Sequence, residues 1–149
     1  MNEQTTSVAP ITKSVVVPRP PEDAFRLFTE GIATWWPLGG RHSIYGERAE
    51  GVVLEGQVGG RLYEVSADGE EGLWGSVMAW EPPDRFVCTW HPGRGEEKAQ
   101  ELEIRFLPDD DGTRVELEHR GWESSPEKRS SYDEGWDFVL GRYAEAAAA

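Results

Sequence analysis

Residues 126–149 read PEKRSSYDEGWDFVLGRYAEAAAA, and their periodicity decides the fold. Tyr132, Trp136, Val139, Leu140 and Tyr143 recur at helical spacing and make one apolar stripe. Asp133, Glu134, Asp137, Arg142 and Glu145 fall largely on the other side. Ser124 or Ser125 can cap the start, Pro126 suits a first turn, and Glu127 sets negative charge near the positive end of the helix dipole. The closing alanine run propagates helix and binds nothing by itself. The pattern predicts one long C-terminal helix. Almost everything upstream reads as strand and hairpin. The economical arrangement is an α+β fold in which a curved antiparallel sheet wraps around this helix. A functional site is expected in the gap between the two.

The bulk numbers narrow the function classes. A chain of 149 residues fits one domain with a real core. Its 15 basic against 28 acidic residues give a net charge of −13. That excludes nucleic acid and anionic membrane surfaces as expected partners, since both need a basic patch. It also disfavours strongly anionic ligands unless a local basic site exists. The composition, 38% hydrophobic and 11% aromatic, is too apolar for a disordered chain. Seven tryptophans are many for this length, and Trp suits cores, pockets and interfaces. The single Cys88 rules out an internal disulfide and fits a reducing compartment. Met1 to Pro10 is polar, without the apolar run of a signal peptide, and no stretch reaches the ~20 apolar residues of a membrane span. A cytoplasmic protein is expected.

In chain order, Met1 to Pro10 is expected to be a disordered tail and residues 11–149 a single domain. Ile11 to Val17 is a β-branched first strand. Glu22-Asp23 open a helix whose apolar face is Ala24, Phe25, Leu27 and Phe28 and which stops at Gly31; Ile32 to Trp36 makes a second, closed by Pro37. Leu38 to Ala49 is a long loop. Six strands then follow in hairpin succession: Glu50–Gln57, Arg61–Ser66, Leu73–Trp80, Arg85–His91, Ala99–Leu107 and Thr113–Arg120. Asp68-Gly69 is a hairpin signal, Glu81-Pro82-Pro83-Asp84 a turn, and Pro92-Gly93 opens a charged connection through Glu97. In the sixth strand Leu102, Ile104 and Phe106 alternate with Glu101, Glu103 and Arg105, so one face is buried and one wet. In the seventh, Val115, Leu117 and His119 face in.

Four stretches carry a family resemblance. They are Ser14-Val15-Val16-Val17-Pro18 with Ala24-Phe25 and Phe28-Thr29; Trp35-Trp36-Pro37; Gly59-Gly60-Arg61-Leu62-Tyr63-Glu64 with Trp74-Gly75-Ser76-Val77 and Trp80-Glu81-Pro82-Pro83-Asp84-Arg85; and Thr113 to His119 with Gly135-Trp136 and Leu140. Together they span about Ile11 to Tyr143. The chain resembles the SRPBCC superfamily (START and birch-pollen-allergen-like, helix-grip), and within it the branch named after the activator of the heat-shock chaperone ATPase. The resemblance implies a helix-grip fold. Superfamily members include ligand carriers, aromatase/cyclases, and stress and resistance proteins. The chaperone activator has an additional N-terminal domain that 149 residues do not accommodate beside this one, and the branch name is not carried over as a function.

The candidate ligand-binding residues are Trp35, Trp36, Tyr63, Trp74, Met78, Trp90, Phe106, His119, Trp136 and Leu140. Each aromatic has an ordinary role as core packing beside its functional one as lining of an apolar cavity under the last helix. Trp74, Ser76, Met78 and Trp80 alternate onto one face of a strand, which either lines that cavity or makes an exposed patch. His119 is either a satisfied core histidine or the polar group of the pocket. Glu64 is a further acid/base candidate whose face depends on the bend after Gly59-Gly60, whereas Glu116 and Glu118 belong to the solvated face. The loop Leu38 to Ala49 reads as a plain surface connection or as a lid, with Arg41, His42 and Tyr45 offering hydrogen bonds. His42, His91 and His119 lack paired metal-ligand spacing, and no nucleophile motif, phosphate loop or dinucleotide fingerprint occurs, so no metal and no cofactor are expected. The expected function is the holding of a small apolar, aromatic-type molecule. The alternatives are a cyclase, dehydratase or hydrolase using the same cavity with His119 or Glu64, and a chaperone-accessory or homodimeric interaction module.

Overall fold

The structure is a computed structural model, which describes residues 9–40, 42–92, 99–124 and 126–149. The expected tail at residues 1–8, Arg41, the charged connection at 93–98 and the candidate cap Ser125 lie outside the described residues.

Strand β1 (Ile11–Val17) leads through Pro18 and Pro20 to helix α1 (Pro21–Thr29). Pro21 sits in its first turn with Glu22 and Asp23, and Ala24, Phe25, Phe28 and Thr29 are buried. At its end Gly31 N donates to Arg26 O at 3.1 Å, and only glycine fits this position, because a Cβ there would lie 2.9 Å from the Leu27 carbonyl oxygen. Helix α2 (Ile32–Trp35) follows, tied back by Trp35 Nε1 donating to Leu27 O at 2.9 Å. Then come β2 (Ala49–Leu54), β3 (Arg61–Ser66), β4 (Glu71–Glu81), β5 (Arg85–Trp90), β6 (Gln100–Asp109), β7 (Gly112–Arg120) and the long helix α3 (Arg129–Ala148). All seven strands form one antiparallel sheet in the order β1-β7-β6-β5-β4-β3-β2. The sheet curls around α3, which is the helix-grip arrangement.

Element types agree with the sequence reading, and bounds move by a few residues. β2 stops at Leu54, short of Gln57, because Glu55 turns its carboxylate onto Arg61 N (2.8 Å) and residues 55–60 close a tight turn. The last helix enters through a 3₁₀ turn at Pro126–Lys128 before it becomes α-helical at Arg129. Of its expected stripe, Trp136, Val139, Leu140 and Tyr143 are buried and Tyr132 is half-buried, and Ala147 joins the buried set. Lys13 of β1 reaches Asp133 and Asp137, both at 3.0 Å. Tyr143 Oη donates to Ala24 O at 2.9 Å, and Arg19 Nε donates to Ala147 O at 2.7 Å near the helix end. Arg129 donates to the carbonyls of Ala9 and Pro10, fixing where the chain enters β1.

Under one end of α3 the interior is filled. Phe25, Phe28, Trp35, Phe86, Phe106 and Tyr143 pack edge to face, with centroids 4.9 Å apart for Phe28–Tyr143 and 5.1 Å for Phe25–Phe106. The opening lies under the other end, where α3 begins.

Candidate ligand pocket

Four tryptophans from four elements meet beneath the first turns of α3. Trp36 closes α2, Trp74 lies on β4, Trp90 ends β5 and Trp136 projects from α3. Their ring centroids form a circuit: 4.8 Å for Trp36–Trp74, 5.5 Å for Trp74–Trp90, 5.4 Å for Trp90–Trp136 and 5.9 Å for Trp36–Trp136. Above this floor opens a pocket of about 300 Å³. Its other lining residues are His42, Ser43 and Ile44 from the long loop, Pro92 after β5, and Lys128, Ser131, Tyr132, Gly135 and Val139 along α3 and its entry turn. Apolar walls with a few placed polar groups are the usual make-up of a small-molecule site.

The loop forms one wall because three bonds hold it. Trp36 Nε1 donates to His42 O at 3.0 Å. The amides of Ile44 and Tyr45 donate to the two carboxylate oxygens of Glu64 at 2.7 and 2.8 Å. The His42 ring stacks on Phe138 of α3 at 5.5 Å, across Gly135, where a Cβ would come within 3.4 Å of His42 Cε1. Glu64 itself is fully buried, and Trp74 Nε1 donates to its Oε1 at 3.0 Å. A buried carboxylate with three donors is satisfied as a charge-assisted hub. It lies behind the Trp74 wall and offers no free edge to the pocket.

His119 is equally enclosed. Trp136 Nε1 donates to its Nδ1 at 2.9 Å, and its Nε2 lies 3.0 Å from Gln100 Oε1. An indole N–H can only donate and an amide oxygen can only accept, so the ring is neutral with its proton on Nε2. The Trp122 ring lies 4.3 Å from it, tilted by 38°, and its Nε1 donates to the His119 backbone oxygen at 2.8 Å. His119 thus orients Trp136 from beneath the floor.

Of the ten residues singled out from sequence, Trp36, Trp74, Trp90 and Trp136 come together on the pocket. His119 stands one layer behind. Trp35, Phe106 and Leu140 belong to the buried core and do not line the opening. Tyr63 lies outside it: Leu62, Glu64 and Ser66 are the buried residues of β3, so Tyr63 faces outward beneath the Arg61 guanidinium, 4.2 Å from its ring centre. Met78 lies outside as well. The register between β4 and β5 shifts between Val77 and Ala79, and the extra residue, Met78, is 47% exposed. Lys128, Ser131, Gly135, Tyr132 and Val139 were not singled out as lining. Helical spacing carries the missing signal, since Lys128, Tyr132, Trp136 and Val139 stand at i, i+4, i+8 and i+11 of one face.

Residues 18–147 match the family described as Activator of Hsp90 ATPase homolog 1-like protein. The chain belongs to this family. Among solved structures it is similar to the anthrahydroquino-γ-pyrone synthase Txn09, complexed with SUM, at 31% identity and TM-score 0.62, covering 94% of this chain and 97% of that one. It is also similar to the Aha1 dimer from Colwellia psychrerythraea at 16% identity and TM-score 0.69, covering 94% and 96%. Protein MLL2253 from Mesorhizobium loti matches at 16% identity and TM-score 0.67, covering 91% and 94%. At 16% identity the last two establish the shared fold alone. No curated protein matches the chain. Among the described residues, no group of three His, Cys, Asp or Glu is placed to hold a metal, and no helix is long and apolar enough to cross a membrane.

Proposed function

We propose that this Activator of Hsp90 ATPase homolog 1-like protein binds a planar, largely aromatic small molecule in the pocket between sheet and terminal helix. The observation that carries this reading is the floor of four indoles under an opening of about 300 Å³. Flat rings gain both area burial and oriented ring contacts against such a surface. Titration with a hydroxyanthraquinone tests it. Tryptophan emission is expected to quench saturably, and Gly135→Leu, which fills the mouth beside the His42 ring, is expected to abolish the quench, with circular dichroism showing that the fold is retained. An absence of quenching, or quenching that Gly135→Leu leaves intact, refutes the reading.

The likeness to the Txn09 synthase, at 31% identity over nearly the whole chain, supports a second reading in which the bound molecule is also cyclised. His119 and Glu64 are packed behind the walls, so the groups for such chemistry are the lining residues His42, Lys128 and Tyr132. Time-resolved product analysis separates binding from turnover. A cytoplasmic setting is supported by the unpaired, buried Cys88. A homodimer is the partner expectation, and light scattering at micromolar concentration reads it.

A further inference from the structure

The pocket's polar groups are unevenly distributed. The floor is indole, while the rim carries Lys128, Ser131 and Tyr132 from the helix side and His42 and Ser43 from the loop. Among the described residues, no carboxylate lines the opening and Lys128 is the rim's only permanent charge, in a protein whose net charge is −13. Among the described residues, no acidic partner lies within ion-pair distance of the Lys128 ammonium. Several other cations of this chain are paired. Arg48 reaches Glu70 at 2.7 Å, Arg61 reaches Glu71 at 3.0 Å and Lys13 reaches two aspartates. On the loop side Ser43 Oγ is buried and makes no hydrogen bond among the described residues. The one buried carboxylate next to the wall, Glu64, already holds three donors. Among the described residues, the rim therefore presents the Lys128 ammonium and Ser43 Oγ without a fixed anion.

We infer that the pocket takes a flat aromatic acid: a fused-ring molecule whose carboxylate or phenolate oxygen sits at the rim against Lys128, with Ser43 Oγ as a further donor and the rings over the indole floor. This rests on the binding reading above and deepens it by naming the ligand class. A charge-assisted contact of this kind in a half-open site discriminates an anion from its neutral isostere by about fivefold. It weakens with salt, because the ammonium is exposed.

Paired calorimetric titrations with anthraquinone-2-carboxylate and anthraquinone-2-carboxamide, which match in shape and differ in charge, test the assignment. The carboxylate is expected to bind about fivefold more tightly than the amide at low salt, with the gap closing at about 0.5 M salt. Lys128→Gln, an exposed substitution that leaves Tm unchanged, is expected to erase the gap by weakening the carboxylate about fivefold. Equal affinities in the unsubstituted protein, or a gap that survives Lys128→Gln, overturn the ligand class and leave the binding reading standing. Heat from neither compound overturns both.

Discussion

Glu64 is the residue on which the pocket's wall depends. Its oxygens accept from Ile44 N, Tyr45 N and Trp74 Nε1, so it fastens a loop to a strand and to an indole at once. A glutamine has one acceptor oxygen, and its amide group would meet an N–H head-on. Glu64→Gln is expected to cost about 2 kcal/mol, read by urea denaturation. Hydrogen exchange at Ile44 and Tyr45 is expected to accelerate about tenfold as the loop loosens; unchanged protection there would show that the loop is held by other contacts. Cys88 makes a second residue-scale case. It is fully buried, and burial alone pushes its thiol up to about 12. A disulfide reagent is expected to leave it untouched in native buffer and to modify it once denaturant opens the sheet. Rapid native labelling would contradict the placement of β5.

At the scale of elements, β4 determines which side chains reach the interior. Its pairing slips once against β3, between Leu62 and Tyr63, and once against β5, between Val77 and Ala79. The first slip accompanies a very close approach of strands: a Cβ on Gly75 would fall 1.8 Å from the Thr89 carbonyl oxygen. Backbone cannot yield as a flexible side chain does, so Gly75→Ala is expected to destabilise by about 3 kcal/mol in thermal unfolding. A loss below about 1 kcal/mol would mean that β4 and β5 can separate freely there. The same strand carries Trp74 inward and Met78 outward, although an even alternation would place both on one face. Bulges re-aim side chains in this way.

At the scale of the molecule, the outer face of the sheet is tied by charge and the inner face by rings. Glu103 is almost buried, and it accepts from Arg85 of β5 at 2.9 Å, Arg105 of β6 at 2.9 Å and Arg120 of β7 at 3.0 Å. Burial pushes its carboxyl up, but the bonds from Arg105 and Arg120 outweigh that and hold it below the ordinary carboxylate range. A carboxyl lowered in the folded state contributes stability above its unfolded value of about 4.3, and that stability fades as pH falls through the folded value. Glu103→Gln is therefore expected to lower stability by about 2 kcal/mol at pH 7. The gap between the two proteins is expected to shrink steadily below about pH 4.3. A gap independent of pH would show that shape, not charge, holds the three strands. On the inner face, the packed aromatic cluster under one end of α3 confines the pocket to the other end.

Much of this was legible in residues 11–149. The stripe from Tyr132 to Tyr143 fixed the terminal helix, because a 3.6-residue period is a local property of the chain. The alternation in Leu102–Phe106 and Val115–His119 fixed the inward faces of β6 and β7, because period 2 is equally local. The four pocket tryptophans were legible as candidates from residue type alone. Their separation from Trp35 and Phe106 was not, since it depends on which end of the helix each strand passes beneath. That Tyr63 and Met78 stand outside the pocket was not legible for the same kind of reason. Parity along β3 and β4 is set by where two strands slip against each other, and that is decided by pairs such as Gly75 and Thr89, far apart in sequence. The burial of Glu64 likewise needs a loop twenty residues away to supply its donors. The sequence alone determined the elements, their order and the apolar faces, because these follow from neighbours in the chain. Only the tertiary structure decided which indoles meet, which carboxylates are buried and where the opening lies, because each of those depends on contacts between distant segments.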